Sequence, residues 1–518
     1  MSSNHGFPIQ LLKNCKASLS FPIYLIWKQS FDTGIVPDIF KEQLITPVFK
    51  KGSKLQPENY RPISQTSNIV KIFERIIRSK MVDYLESHNL ISQVQHGFRK
   101  GRSCLSELLA HYDEILENIN QCGANTDVIY LDFAKAFDKV DHDLLLKKLY
   151  RYGIRGKLHS WIASFLQNRT QRVIVDGMMS FISFVLSGVP QGTVLGPILF
   201  LLFINDIEKS LSHSNIRCFA DDSRLLKKIQ TFEDAILLQE DLTNVVSWAY
   251  TNNMLLNQKK FEFIHHGPRS SHFNQFCELP FVLFENCYTV DDHVIAPIDF
   301  TTDLGITMQK DLSFSIHIND AVKRARNKLS WILSVFKDRS VTTICTLFVS
   351  MVRPILEYCS VLWNPHKLSE IKLLEGVQRT ATAKISSIAH LNYWERLSEL
   401  NLFSLQRRRE RYIIMYMYKI LHSIVPNDIG IVFYENPRLG LKARLPVLPI
   451  YRKKLFLYDS SFAVHGPQLW NILPKYINCL PTFTSFKREL DKFILRFPDH
   501  PPLNGYTTIN SNSLLCWV

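Results

Sequence analysis

Two adjacent acids, Asp221 and Asp222, lie inside the apolar stretch IRCFADDSRLL at 216–226, and a third, Asp132, ends the apolar run of DVIYLDFAKAFD at 127–138. The pair falls where a two-strand hairpin should turn, and Asp132 where a buried strand should stop, so three carboxylates are expected to meet at one point. Like charges held within a few ångström raise one another's pKa unless a cation joins them, and a pair of divalent metal ions meets that need. The chemistry of such a site is metal-assisted phosphoryl or nucleotidyl transfer. The plainer account of the Asp-Asp pair is a turn, because Asp tolerates positive φ and bonds to its own backbone. The neighbouring segments decide between them.

Five residues after Asp132 comes Phe137, whose ring would stand beside an incoming substrate and exclude a ribose 2′-hydroxyl by bulk, or else simply pack under a helix start. The string SGVPQGTVLGPILF at 187–200 sets Gly188, Gly192 and Gly196 around Pro190-Gln191. Glycine permits close backbone approach to a ligand, and Gln191 offers both a donor and an acceptor. Upstream, VFKKGSKLQPENYRPIS at 48–64 gathers Lys50, Lys51, Lys54 and Arg61 about a turn. Such cations can hold a triphosphate, arginine with bidentate geometry, although a solvated basic loop has the same composition.

The elements that must position these residues follow from periodicity. Ile69, Ile72, Phe73, Ile76, Ile77, Met81, Tyr84 and Leu85 predict a helix after the turn signal YRPIS at 60–64, and Leu105 to Ile119 predict a second. Then come a strand at 127–132, helices near 142–151 and 157–167, a hairpin at 172–186 turning at Asp176-Gly177, and an apolar helix at 196–209 leading into the acidic hairpin. A helix at about 232–253 closes this part, with Leu237, Leu242, Val245, Val246 and Trp248 inward. Strands beside helices without regular βαβ repetition predict an α+β fold with an antiparallel sheet backed by helices. From about 312 the pattern becomes helical, at 316–338, 342–359, 368–386 and 392–424. A Pro-rich stretch at 436–450 then precedes a short unit with Trp470 and a helix near 484–495, and the tail from Pro501 is expected to fray.

At 518 residues, with 46% hydrophobic and 21% charged residues, the chain can build large cores and is not a disordered protein. Its net charge of +14 suits a polyanionic partner. The longest apolar run, VLGPILFLLFI at 194–204, is well short of the roughly 20 residues that span a bilayer, so no membrane partner is expected. The start, MSSNHGFPIQLLKN, has no secretory h-region. Ten cysteines without a CxxC pair or His/Cys ligand spacing argue against zinc and for reduced thiols.

Five strings, FKKGSKLQPENYRPIS, QHGFRKGRSC (95–104), LDFAKAFDKVDHDLLLKKL (131–149), SGVPQGTVLGPILFLLFINDI (187–207) and CFADDS (218–223), closely resemble the reverse transcriptases of non-LTR, LINE-type retrotransposons, in particular the jockey-like branch. They stand in the family's order and spacing. The likeness continues through WAYTNNMLLNQKKFEFI (248–264), DLGITMQKDLSFSIHI (303–318), RPILEYCSVLWNP (353–365), LLEGVQRTATAKI (373–385) and FAVHGPQLWNILP (462–474). This resemblance implies a right-hand polymerase: a helical N-terminal extension over 1–40, fingers and palm over 41–310, a helical thumb and connection over 311–425, and a C-terminal unit with a polar tail over 426–518. It implies Asp132, Asp221 and Asp222 as the catalytic, metal-binding triad for two Mg²⁺ ions, Phe137 as a steric gate, and Gln191 with Gly192 as substrate contacts. It also implies Lys50 and Arg61 as triphosphate ligands and Lys260, or Lys259 in its place, as proton donor to pyrophosphate.

Partners implied are an RNA template, a DNA primer or target, and dNTPs, with action in the nucleus and room for a cytoplasmic ribonucleoprotein stage. Basic clusters at Lys323, Arg324, Arg326 and Lys328, and at Arg407, Arg408, Arg409 and Arg411, are expected to hold nucleic-acid backbone, with at least half of those side chains simply facing solvent. Elements of this type commonly carry an apurinic-like endonuclease that nothing in the first forty residues encodes, and no RNase H signature or Cys/His knuckle follows the thumb, so a truncated copy or fragment is expected, with target nicking supplied from elsewhere. Two rivals remain: a viral-type RNA-templated RNA polymerase, which would prefer a small or acidic residue at 137 and Gly at 220, and a catalytically inactive remnant that only binds nucleic acid.

Overall fold

The computed structural model describes residues 8–122, 124–267, 287–431, 448–450, 461–500 and 512–517. Helix α1 (Lys16–Thr33) leads to strands β1 (Glu42–Phe49) and β2 (Tyr60–Gln65). Helix α2 (Asn68–Ser87) begins at Ser67, whose side chain accepts the Ile69 N–H and so satisfies one of the free donors of the first turn. Helix α3 (Cys104–Cys122) and strand β3 (Asn125–Leu131) follow, then α4 (His142–Arg151), capped by Asp141, and α5 (Gly156–Leu166). Strand β4 (Arg169–Val175) turns through Asp176 and Gly177, both at positive φ, into β5 (Met178–Met179) and then β6 (Ser183–Val185). Helix α6 (Gly196–Ile204) precedes the hairpin β7 (Asn215–Phe219) and β8 (Asp222–Ile229); α7 (Phe232–Thr251), with a Thr231/Asp234 capping box, and β9 (Glu262–His266) come next. The later helices include α8 (Ser315–Val335), α9 (Leu368–Thr382) and α10 (Leu405–Leu421).

Two sheets matter for the site. One is antiparallel, in the order β7-β8-β3-β9. The other runs β2-β1-β4-β5, with β6 also on β4, and its β1–β4 pairing is parallel. The four-stranded sheet is covered on both faces, which explains why the second half of β3, Val128 to Leu131, reads as an unbroken apolar run. Successive side chains point to opposite faces: Ile129 and Leu131 enter a core with α2 and α4 to α7, whereas Val128 and Leu226 enter a second core built from α3, α8 to α10 and the C-terminal helices. Helix α6 is apolar on every side and nearly all buried, as a central helix must be.

Several expectations need correction. YRPIS is a strand, not a turn, paired from Tyr60↔Phe49 to Ser64↔Ile45. Helix α6 stops at Ile204 rather than 209 because Asn205 is drawn elsewhere, its amide donating to the Leu90 carbonyl and accepting from the Ser92 N–H. The run 342–359 breaks into Val341–Leu347, a π turn at Phe348–Val352, and Arg353–Glu357, since Pro354 has no N–H to continue the ladder. The run 392–424 splits into Tyr393–Glu399 and α10 around Asn401, at positive φ. In α7 it is Leu238 that is fully buried and Leu237 only half. Most of the Pro-rich stretch and of the tail lies outside the described residues, but 512–517 are anchored rather than frayed: Leu514 is buried and its N–H donates to Glu410.

Candidate active site

Asp132 is the first residue past β3. In the β3–β8 ladder Leu131 stands opposite Ser223, which brings Asp132 alongside Asp222, the first residue of β8. Phe219 pairs with Asp222, so Ala220 and Asp221 form the two-residue turn, with Ala220 at φ +59. The hairpin register thus delivers all three acids to one end of one sheet, as expected.

The carboxylates sense one another there. Burial raises Asp221 above its usual range, Asp132 pushes it further up, and the cations of Arg61 and Lys50 pull it down. Asp222 is pushed up to about 6, first by loss of solvent and then by the charges of Asp221, Asp303 and Asp132, with Arg224 opposing. Its surface is still open, as on the floor of a cleft where solvent reaches a side chain that protein surrounds on several sides. Asp132 is ion-paired: Lys260 Nζ lies 2.9 Å from its Oδ2. Among the described residues no group of three His, Cys, Asp or Glu side chains is drawn up to hold a metal ion. With Lys260 on Asp132, the three acids converge without forming a closed ligand set.

The segment carrying Lys260 is stitched to the strand end, since Asn257 N–H donates to the Asp132 carbonyl at 2.8 Å and Ala134 N–H to that of Leu255 at 2.8 Å. Lys260 is therefore the lysine at the acids. Lys50, just past β1, and Arg61, on β2, are exposed and close enough to act on Asp221, which places the second sheet's edge over the acidic turn.

The loop 187–196 lies between these parts. Ser64 N–H donates to the Gln191 carbonyl at 2.7 Å, and a Cβ at Gly192 would sit 2.6 Å from the Ser64 carbonyl oxygen, so glycine is required by close approach as well as by its φ of +103. Gln191 Nε2 donates to Asp138 Oδ1 at 3.0 Å, which turns its own carbonyl oxygen away from Asp138. Phe137 is half-buried, stacked on Phe200 at 4.2 Å with Phe98 edge-on at 6.3 Å, and its carbonyl accepts the Val189 N–H. Its ring is thus packed from below and fixed in place. Two residues that sequence reasoning passed over complete the loop. Asp138 orients Gln191, and buried Glu74 on α2 accepts the N–H groups of Val194 and Leu195 at 2.6 and 2.9 Å, capping α6.

The basic clusters divide. On α8, Lys323, Arg324 and Arg326 are exposed and Lys328 covers the Trp331 ring at 5.1 Å. On α10 the expectation fails: Arg407, Arg409 and Arg411 are buried and Arg408 nearly so, with Arg408 bonded to Glu357, Arg411 to Asp491, and Arg407 to the carbonyls of Pro498 and Asn512. These arginines hold the C-terminal helices together.

Residues 48–298 match the family described as reverse transcriptase (RNA-dependent DNA polymerase). The chain is 25% identical over 431 residues to the probable RNA-directed DNA polymerase from transposon BS of Drosophila melanogaster, covering 77% of this chain and 45% of that protein. It is 26% identical over 440 residues to the RNA-directed DNA polymerase from mobile element jockey of the same species, covering 81% and 46%. The chain therefore spans less than half the length of these relatives. Among solved structures, telomerase from Candida tropicalis in complex with a TWJ fragment of telomeric RNA is matched over 92% of this chain and 68% of that chain, at 10% identity and a TM-score of 0.42. No helix among the described residues is long and apolar enough to cross a membrane.

Proposed function

Residues 48–298 are a reverse transcriptase domain, and on that premise we propose that this chain is the polymerase portion of a non-LTR retrotransposon protein, extending a DNA primer on an RNA template. The β2-β1-β4 sheet with its helices serves as fingers, the four-stranded sheet as palm, and α8 with the helices after it as thumb and connection. The observation that carries this reading is the arrival of Asp132 at the β7–β8 turn, within the matched segment, under the cations of Lys50 and Arg61.

Asp132, Asp221 and Asp222 fit two Mg²⁺ ions by donor type, being carboxylate oxygens, and burial first and then the neighbouring carboxylates raise Asp221 and Asp222. When bound, such ions supply Lewis acidity at the primer 3′-hydroxyl and neutralise charge on the triphosphate. The chain's own residues position the substrate. Lys50 and Arg61 meet the triphosphate, Gln191 presents its side-chain oxygen Oε1 to the nucleotide, and Phe137 fills the space a 2′-hydroxyl would need. Lys260, already beside Asp132, is in reach of the leaving pyrophosphate as its proton donor. Exposed Lys323, Arg324 and Arg326 meet the phosphate backbone of template and primer, and the family resemblance supports the nucleus as the site of action.

Primer extension on an RNA template with Mg²⁺, with dNTP or rNTP, tests the proposal. Incorporation of dNTP, lowered by several orders of magnitude in Asp222→Ala, is the expected result. Incorporation of rNTP alone would mean the viral-type polymerase, and no extension would leave the binding-only reading.

A further inference from the structure

Residues Gln95, His96 and Gly97 have no part in the chemistry above, yet they lie against the acidic turn. Cys218 N–H donates to the Val94 carbonyl at 3.0 Å and His96 N–H to the Cys218 carbonyl at 2.9 Å, so the segment runs beside β7 as a short parallel bridge. Between these bonds Gln95, only 3% exposed, reaches the peptide groups of Ala220. Its Oε1 accepts the N–H of Ala220 at 2.9 Å and of Gly97 at 2.7 Å, and its Nε2 faces the Ala220 carbonyl at 3.4 Å. Two N–H donors aimed at one atom fix that atom as the oxygen, so the orientation of the carboxamide is not arbitrary.

Ala220 is the residue before Asp221 and holds φ +59, a conformation that L-residues adopt only when their surroundings impose it. A second constraint acts on the same peptide. Gly97 is not at positive φ, so its backbone would accept any residue, but a Cβ there would stand 2.5 Å from the Ala220 nitrogen. Glycine at 97 is thus required by the turn pressing against it, and glutamine at 95 answers both polar groups of the residue that aims the two acids.

We propose that Gln95 is a positioning residue for nucleotidyl transfer, its carboxamide locking Ala220 in the left-handed conformation that sets Asp221 and Asp222 toward Asp132. The inference rests on the polymerase reading for its consequence and on the Gln95–Ala220 hydrogen bonds for its cause, and two readouts separate these.

The first readout is hydrogen exchange over 218–224 in the full chain. Gln95→Met keeps the side chain's shape and removes both bonds; exchange at Ala220 should accelerate at least about tenfold relative to wild type, while segments in α8 and α10 stay unchanged. Equal exchange in the two proteins would overturn the proposal whether or not the protein polymerises DNA. The second readout is dNTP incorporation on an RNA template. A displacement of about 1 Å costs on the order of 100-fold, so Gln95→Met should lower kcat by roughly that factor, with dNTP KM and template-primer Kd within about twofold. Gly97→Ala should match it. The double variant Gln95→Met, Ala220→Gly should recover at least about tenfold in kcat, because glycine takes positive φ without help. A wild-type kcat in folded Gln95→Met, or a kcat deficit that Ala220→Gly leaves untouched, would reduce Gln95 to packing. A silent wild type would instead bring down the polymerase reading, leaving the exchange result to judge the clamp.

Discussion

Phe137 shows what a single residue can and cannot declare. From its place five residues after Asp132 it is equally a gate or a core ring, and the structure gives it both kinds of surroundings: Phe200 and Phe98 hold the ring, while its half-buried state leaves an edge open. A ring pinned from below is the better gate, since it cannot swing aside for a 2′-hydroxyl. Phe137→Val should therefore lower the preference for dNTP over rNTP, in kcat/KM, by about tenfold or more, with dNTP incorporation largely kept. Competition assays with paired nucleotides check this, and an unchanged ratio would return Phe137 to packing alone.

Among the elements, the junction of α2 and α6 was the least legible. Glu74 continues the face of Val70, Ile77 and Met81, so an acid on an apolar stripe was the available signal, but periodicity alone does not say which backbone it serves. Its carboxylate ends on two N–H groups of the α6 N-terminus, where the helix dipole also favours a negative charge. Glu74→Ala leaves two buried donors unsatisfied and should cost about 1–3 kcal/mol, read as a lower urea midpoint. Because the same loop carries Gln191, dNTP KM should rise as well. By contrast the helices α2 to α5 were legible almost to their ends, as each is amphipathic and α2 and α4 are capped by neighbours in sequence.

At the scale of the molecule, charge that looks alike in sequence divides into two uses. Replacing Lys323, Arg324 and Arg326 with Ala should weaken template-primer binding and make the log–log salt slope shallower by about 0.7–0.9 for each phosphate no longer neutralised, while thermal stability holds. Arg407→Ala or Arg411→Ala should lower stability, because their partners are Asp491 and the C-terminal carbonyls, not nucleic acid. A second whole-molecule property arises where α3, β8 and the hairpin Phe300–Asp303/Ile306–Gln309 meet around Glu107, His96, Arg224 and Asp303. Burial pushes Glu107 up to about 7, with Arg224 opposing, and holds His96 neutral, down to about 2, so their 3.1 Å approach is not an ion pair. A carboxyl whose folded pKa exceeds its unfolded value near 4.5 binds its proton more tightly when folded. Its contribution is full below about pH 4.5, declines as pH rises toward about 7, and changes no further above that. Urea unfolding across this window should show a smaller decline of stability in Glu107→Gln than in wild type.

The three acids, the apolar strands that carry them and most of the helices are legible in the order of residues alone, because periodicity, capping and turn chemistry are local and are written in neighbouring residues. So is the order of motifs that places residues 48–298 among reverse transcriptases. Which charges face water was settled by packing between distant elements, which is why the α10 arginines became core ties and Lys260 became the partner of Asp132. That packing likewise decided that Gln95, Asp138 and Glu74 brace the site, through hydrogen bonds spanning 125, 53 and 120 residues of chain. A bond of that range depends on how whole elements pack, and no window of sequence contains both of its ends.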